Sequence, residues 1–349
     1  MIYKKQILGG LEKCYALSAV TVGEKPHLLV AAEKKDPCYL FDLAGNRIET
    51  VWEGPGGVMT MVPVPGVDGT FLATHEFYSP NDSANARLVC AKRAEKGWEV
   101  TAIASLPFVH RFDILPRNGV NYVLACTLKS DHEYKNDWRF PGKLWVGILP
   151  DDPAAPLTLS ILREGLSHNH GYTRYEEDGV LSGIVSCDQG VFRVTPPAEP
   201  GGAWSVEALL ETPASDGVMI DLDRDGTPEL LTVSPFHGDT VAIWHRDASG
   251  AYREAYTYPE KLPFLHAIWG GEVYGRPTVY IGNREGDRLL LGFYYDAQRG
   301  GYAFETVDQG SGAANCLLFR RDGHPALLAA NRETDEIAVY DIAVDDLLE

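Results

Sequence analysis

His110, His170 and His266 each stand nine residues before a glycine, Gly119, Gly179 and Gly275, in three copies of a strand-turn-strand frame. Imidazole is a favoured ligand of zinc, manganese and related ions, so a shared register predicts a divalent transition-metal site (Mn, Zn, Fe or Ni) with a position left open for substrate. His237, in a further copy, is the expected fourth ligand. The same face gathers His75, Arg111, Lys129, His132, Tyr134 and Arg284, groups able to move a proton or hold a polarised oxygen. His132, Lys129 and Tyr134 are the expected bases, carried on the long segment KSDHEYKNDWRFPGK from Lys129 to Lys143. Arg284 lies in NREGDR, echoed by NRETDE, and suits a repeated structural turn equally well.

A second acidic constellation sits in GVMIDLDRDGTPELLTV, Gly217 to Val233. Asp221, Asp223 and Asp225 alternate into a turn at Gly226, and Glu229 follows, so four carboxylates are expected to close around one hard cation, most naturally calcium. This turn falls at the opposite end of its hairpin from the histidines. Its ion is expected to staple the hairpin and take no part in catalysis.

These groups need a frame to bring them together, and the chain repeats one. Turn glycines Gly23, Gly69, Gly119, Gly179, Gly226, Gly275 and Gly323 recur at roughly 50-residue intervals, each between two apolar runs, and the first six of these hairpins are followed by two more strand-like segments. Four-stranded units repeated around an axis are propeller blades, so the fold class is all-β, a seven-bladed β-propeller. The last repeat ends after EIAVYDIAV without a fourth strand, whereas IYKKQIL precedes the first repeat. The N-terminal segment is expected to complete the last blade and close the ring. In that register seven of the ten histidines reach one mouth of the central channel, and His27, His245 and His324 the other.

Composition narrows the function classes. A formal net charge of −18 without basic runs argues against a nucleic-acid surface. No apolar run is long enough for a signal peptide or a spanning helix, so a cytoplasmic, membrane-free protein is expected over residues 1–349 as one domain, a monomer or small homo-oligomer. Six scattered cysteines without a CxxC suit reduced, buried thiols. Serine-hydrolase elbows, P-loops and dinucleotide fingerprints are missing from the sequence.

The acidic turn and its flanking strands resemble the calcium-binding turn of FG-GAP (VCBS-type) propeller repeats, with Glu229 where that family more often has Asp. With a histidine-bound metal at the channel mouth, the chain also resembles the propeller sugar lyases and dehydratases, oligogalacturonate lyase and the aldos-2-ulose dehydratase propeller domain. That resemblance implies a small-molecule carbohydrate substrate, a keto-sugar or uronide, and metal-assisted β-elimination. The alternatives are a glycan- or protein-binding propeller without catalysis, or a metal-dependent hydrolase or isomerase on the same site.

Overall fold

The structure, a computed structural model, describes residues 1–344; the terminal DDLLE lies outside the described residues. Among these the regular elements are all strands, grouped in seven antiparallel four-stranded sheets. Each of blades one to six is built from four consecutive strands. Blade seven takes its fourth strand from the N-terminus: Ile2–Gly10 pairs antiparallel with Glu336–Ala343. The expected ring closure is therefore present. Lys5 fastens it through ion pairs of 3.0 Å to Asp308 and 3.0 Å to Glu336, and the terminal amine reaches Glu305 at 2.9 Å.

The second strand of each blade reads as an almost continuous apolar run, as in Lys25–Ala32, Val120–Lys129 and His324–Asn331, because it is buried on both faces between neighbouring blades. The core thus lies between blades. Leu124, Cys126 and Leu144 of blade three meet Val185, Phe192 and Val194 of blade four, and Leu28, Val30 and Phe41 of blade one meet Leu328, Ala330 and Val339 of blade seven. All six cysteines are buried and unbridged.

The first hairpin of five blades turns on two residues that both have positive φ: Gly23 and Glu24, Asn118 and Gly119, Asp178 and Gly179, Tyr274 and Gly275, Asp322 and Gly323. This tight turn matches the right-handed strand twist and needs left-handed backbone, which explains the recurring glycine. Blade five replaces it with the acidic loop, and blade two with residues 64–69.

At the other end of the hairpins the strand register slips between Cys14 and Ala16, Val109 and Arg111, Leu265 and Ala267, and Ala313 and Asn315. Tyr15, His110, His266 and Ala314 are the extra residues, and a bulge re-aims a side chain out of the pleat. Two residues earlier Lys13, Phe108, Phe264 and Gly312 have positive φ, as does His168 before His170. A left-handed turn, followed by a bulge at Tyr15, His110, His266 and Ala314 and, at His170, by the strand start at Gly171, brings these positions into one layer. Their carbonyls take bonds from the preceding blade: His110 Nδ1 meets the His170 carbonyl at 3.2 Å, His170 Nδ1 that of Ser215 at 3.3 Å, His266 Nδ1 that of Ala314 at 2.7 Å, and Asn315 Nδ2 that of Tyr15 at 2.9 Å.

Candidate metal centre

The starts of the innermost strands and the loop after the second strand of blade five assemble predicted imidazoles at one end of the channel. One ring nitrogen from each of His170, His237 and His266 lies within 4.8 Å of the other two. Ring centroids are 5.0 Å apart for His170 and His237, 5.2 Å for His170 and His266, and 5.4 Å for His237 and His266. His110 does not join the convergence and its assignment as a ligand is corrected: its ring lies tilted by 33° against His170, with centroids 4.5 Å apart. Adjacent blades bring these two rings together as packed neighbours, whereas His237, from the loop after the second strand of blade five, folds over the layer from above.

The tautomers of two members are set by their neighbours. His170 Nδ1 lies 3.0 Å from Asp216 Oδ2, and its Nε2 is buried without a partner. His266 Nδ1 donates to the Ala314 carbonyl, leaving the Nε2 lone pair toward Tyr15, whose hydroxyl is 3.2 Å away. Carboxylate or carbonyl behind an imidazole is the arrangement that orients a metal-ligating histidine. Burial holds His266 well below the ordinary histidine pKa and His237 at about 2, with neighbouring His170 and Arg284 adding to both effects. Both rings are therefore neutral at physiological pH, the form that coordinates. These residues fit a divalent transition metal.

Phe236 and His237 cover the layer. Phe236 stacks on His237 at 4.0 Å and on His168 at 4.4 Å, and packs edge-on against His170 at 5.4 Å. His168 Nδ1 meets Asp188 Oδ2 at 2.7 Å. The expected open mouth is instead closed: His110, His170 and His266 are 3%, 1% and 2% exposed. On the other side of the layer lies a channel cavity of about 480 Å³, its wall beginning one or two residues past His110, His170, His266 and Ala314 with Arg111, Tyr172, Ile268 and Asn315.

The remaining predicted groups fall in other places. Lys129 is buried, its ammonium between the rings of Phe108 and Trp138 and 3.3 Å from the Asp137 carbonyl, so it anchors the long loop. His132 packs edge-on against Phe108 at 5.5 Å, and Tyr134 is exposed beneath Arg139, which is bonded to Asp137 and Glu133. His132 is not brought into the imidazole convergence. Arg284 is neutralised by Glu333 at 2.7 Å, and Arg332 pairs with Glu33 and Glu333, as expected of repeated turns. Sequence reasoning missed Asp216, Tyr15 and Phe236. Tyr15 sits in the register of His110 displaced by one residue, a signal that was present; Asp216 carries none, because it meets His170 only across a blade boundary.

His75 is also elsewhere, packed edge-on against Trp52 at 4.6 Å, with burial and then Arg87 lowering its pKa to about 4. The unfolded chain binds a proton there near pH 6.5 that the folded chain refuses, so this contribution is complete above that range and lost as pH falls toward 4. Between pH 7.5 and 5 the loss is about 2 kcal/mol, from ~1.4 kcal/mol per unit below 6.5. The gap between urea midpoints at the two pH values should narrow by that amount in His75→Phe, the share due to buried His110, His237 and His266 remaining; an unchanged gap would rule the assignment out.

In the acidic turn, Asp221, Asp223 and Asp225 converge within 4.8 Å, but Glu229 does not close that set. It is fully buried, accepts bonds from the Leu222 amide at 2.6 Å and the Tyr302 hydroxyl at 2.7 Å, and groups with Asp223 and His245. Glu229 opens the strand after the loop and its carboxylate is taken up by the Leu222 amide and Tyr302, which corrects the four-carboxylate expectation. His245 Nε2 stands 3.1 Å from Asp225.

No protein-family model and no curated protein matches this sequence. Solved structures similar to it include the periplasmic gluconolactonase of Pseudomonas aeruginosa, at 15% identity and a TM-score of 0.62 over 91% of this chain and 92% of that one. A putative 6-phosphogluconolactonase from Bacteroides uniformis is 15% identical, with a TM-score of 0.55 over 94% and 91%. The Swd1 β-propeller domain of Myceliophteria thermophila is 9% identical, with a TM-score of 0.61 over 97% and 100%. At such identities the likeness is one of fold. The FG-GAP resemblance rests on the repeat frame and the acidic turn alone.

Proposed function

We propose that this chain is a metal-dependent enzyme acting on an oxidised sugar, and that it opens a sugar lactone by hydrolysis. The observation that carries the reading is the buried, unpartnered Nε2 of His170, oriented by Asp216 and grouped with ring nitrogens of His237 and His266. A divalent ion held there would polarise an acyl oxygen and acidify a coordinated water. The chain's own residues would do the rest. Asp216 and the Ala314 carbonyl keep two imidazoles in the coordinating tautomer; Phe236 excludes bulk water; and Tyr15, now donating toward His266, is placed to donate to an oxygen of the substrate instead.

Hydrolysis adds water across the acyl carbon–oxygen bond, the hydroxyl going to carbon and the proton to the leaving oxygen. It needs no separate base to take a proton from carbon. The β-elimination implied by the sugar-lyase resemblance does need one, and Lys129, His132 and Tyr134 are engaged in or exposed on the long loop. The gluconolactonase and the putative 6-phosphogluconolactonase among the similar folds support the same substrate class. An acid-release assay on a panel of sugar lactones, run beside ultraviolet detection of unsaturated products from uronides, separates the two reactions. Acid release abolished by chelation is expected. A chelator-sensitive ultraviolet product without acid release would restore the lyase, and metal-free protein inert on both panels would leave a binding propeller. Elemental analysis of the same samples reads calcium for the Asp221, Asp223 and Asp225 turn, which we propose as a staple.

A further inference from the structure

The channel cavity carries one cation whose charge is not answered. Four charged residues line its wall: Arg111, Asp113, Arg174 and Asp216. Arg174 is paired with Asp113, which also accepts from the Tyr172 hydroxyl at 3.0 Å. Asp216 faces His170 and Ser215. Arg111 donates to the Met59 carbonyl at 2.8 Å and to Asn315 Oδ1 at 3.3 Å, both neutral acceptors, and its Nε is buried without a partner. No carboxylate among the described residues pairs with it, in a chain of net charge −18.

Bonds to neutral acceptors fix where the guanidinium points, yet leave its charge uncompensated in a partly desolvated channel, a costly arrangement unless an anion completes it. Guanidinium presents its N–H groups in a planar fork that matches a carboxylate. With Arg174 already paired to Asp113, Arg111 is the one guanidinium on the wall without a carboxylate partner, and one fork matches one carboxylate. The cavity, about 480 Å³, is within the range of small-molecule sites, roughly 300–1,000 Å³. Trp269, 37% exposed, and Tyr172 line it with aromatic surface against which the apolar face of a sugar ring packs.

We infer that this cavity recognises the carboxylate of a sugar acid, with Arg111 as its anchor, held in orientation by Asn315 and the Met59 carbonyl. The inference rests on the oxidised-sugar reading above and narrows it: a lactone's own acyl group is neutral, so the ligand bears a further, free carboxylate, and it lies on the channel side of the imidazole layer, away from the covered mouth.

Calorimetric titration of the purified protein with D-galacturonate, its methyl ester and D-galactose tests this without any variant. The acid should bind at least about 10-fold more tightly than the ester or the neutral sugar. Equal affinity for the three, or no binding of the acid, overturns it. Arg111→Met, which keeps the length of the side chain and removes the charge, should lose that preference, while Arg111→Lys retains part of it; a preference unchanged in Arg111→Met also overturns the assignment. Metal content is measured on the same preparations. Protein lacking metal that still prefers the carboxylate upholds this inference and ends the metal reading, whereas metal-bearing protein indifferent to ligand charge does the reverse.

Discussion

His170→Ala is expected to strip the divalent ion from the protein, taking metal content from near one equivalent to below a tenth, on the order expected when one of three imidazole ligands is lost. His170 packs against both other members of the group and is the one braced by a carboxylate, Asp216. Asp216→Asn should weaken the metal by about 10- to 100-fold while leaving some bound, because it disturbs orientation and basicity without removing a ligand. His110→Ala makes the comparison decisive. Its ring packs on His170 but offers no nitrogen to the convergence, so metal content should survive. Metal loss in His110→Ala equal to that in His170→Ala, with both variants folded by circular dichroism, would reinstate the ligand set of His110, His170 and His266 expected from register. Full metal retention in His170→Ala would remove the site altogether.

Deleting residues 1–10 should be the most damaging change to the fold. Blade seven would keep three strands and present the length of Glu336–Ala343 as an unpaired edge. It would also lose the ion pairs from Lys5 to Asp308 and Glu336 and the Tyr3 hydroxyl bond to Glu305 at 2.7 Å. An open edge is a template for pairing with another chain, so the truncated protein should elute as aggregate in size-exclusion chromatography. Any monomer that survives should melt at least about 10 °C lower, given that a few kcal/mol moves a chain of this size by several degrees per increment. Adding a peptide of residues 1–11 should restore part of the monomer by refilling the edge. A truncated monomer with an unchanged melting temperature would show that the ring holds without its clasp.

The seven-fold frame was legible because its signals are local. A left-handed two-residue turn selects glycine next to Asn118, Asp178 or Asp322, and a strand packed on both faces selects the unbroken apolar runs after it. Counting back from those glycines put His110, His170 and His266 in one layer, since all three hairpins have the same length from turn to bulge or strand start. Even the clasp could be read from a last repeat short of one strand and a first repeat preceded by one.

Which imidazoles converge was settled by contacts that no spacing encodes. His170 meets Asp216, His266 meets Tyr15, and His237 folds in from a loop; each pairing crosses between blades, where the partners' separation along the chain carries no information about their distance in space. The same holds for Lys129, a base by position and a buried loop anchor in fact, and for Glu229, whose carboxylate is taken up by Tyr302 of the next blade. Periodicity is written in backbone preferences a few residues long, and so survives in the bare chain. Coordination and charge balance depend on the angle at which whole sheets pack around an axis, and that exists only once the wheel has closed.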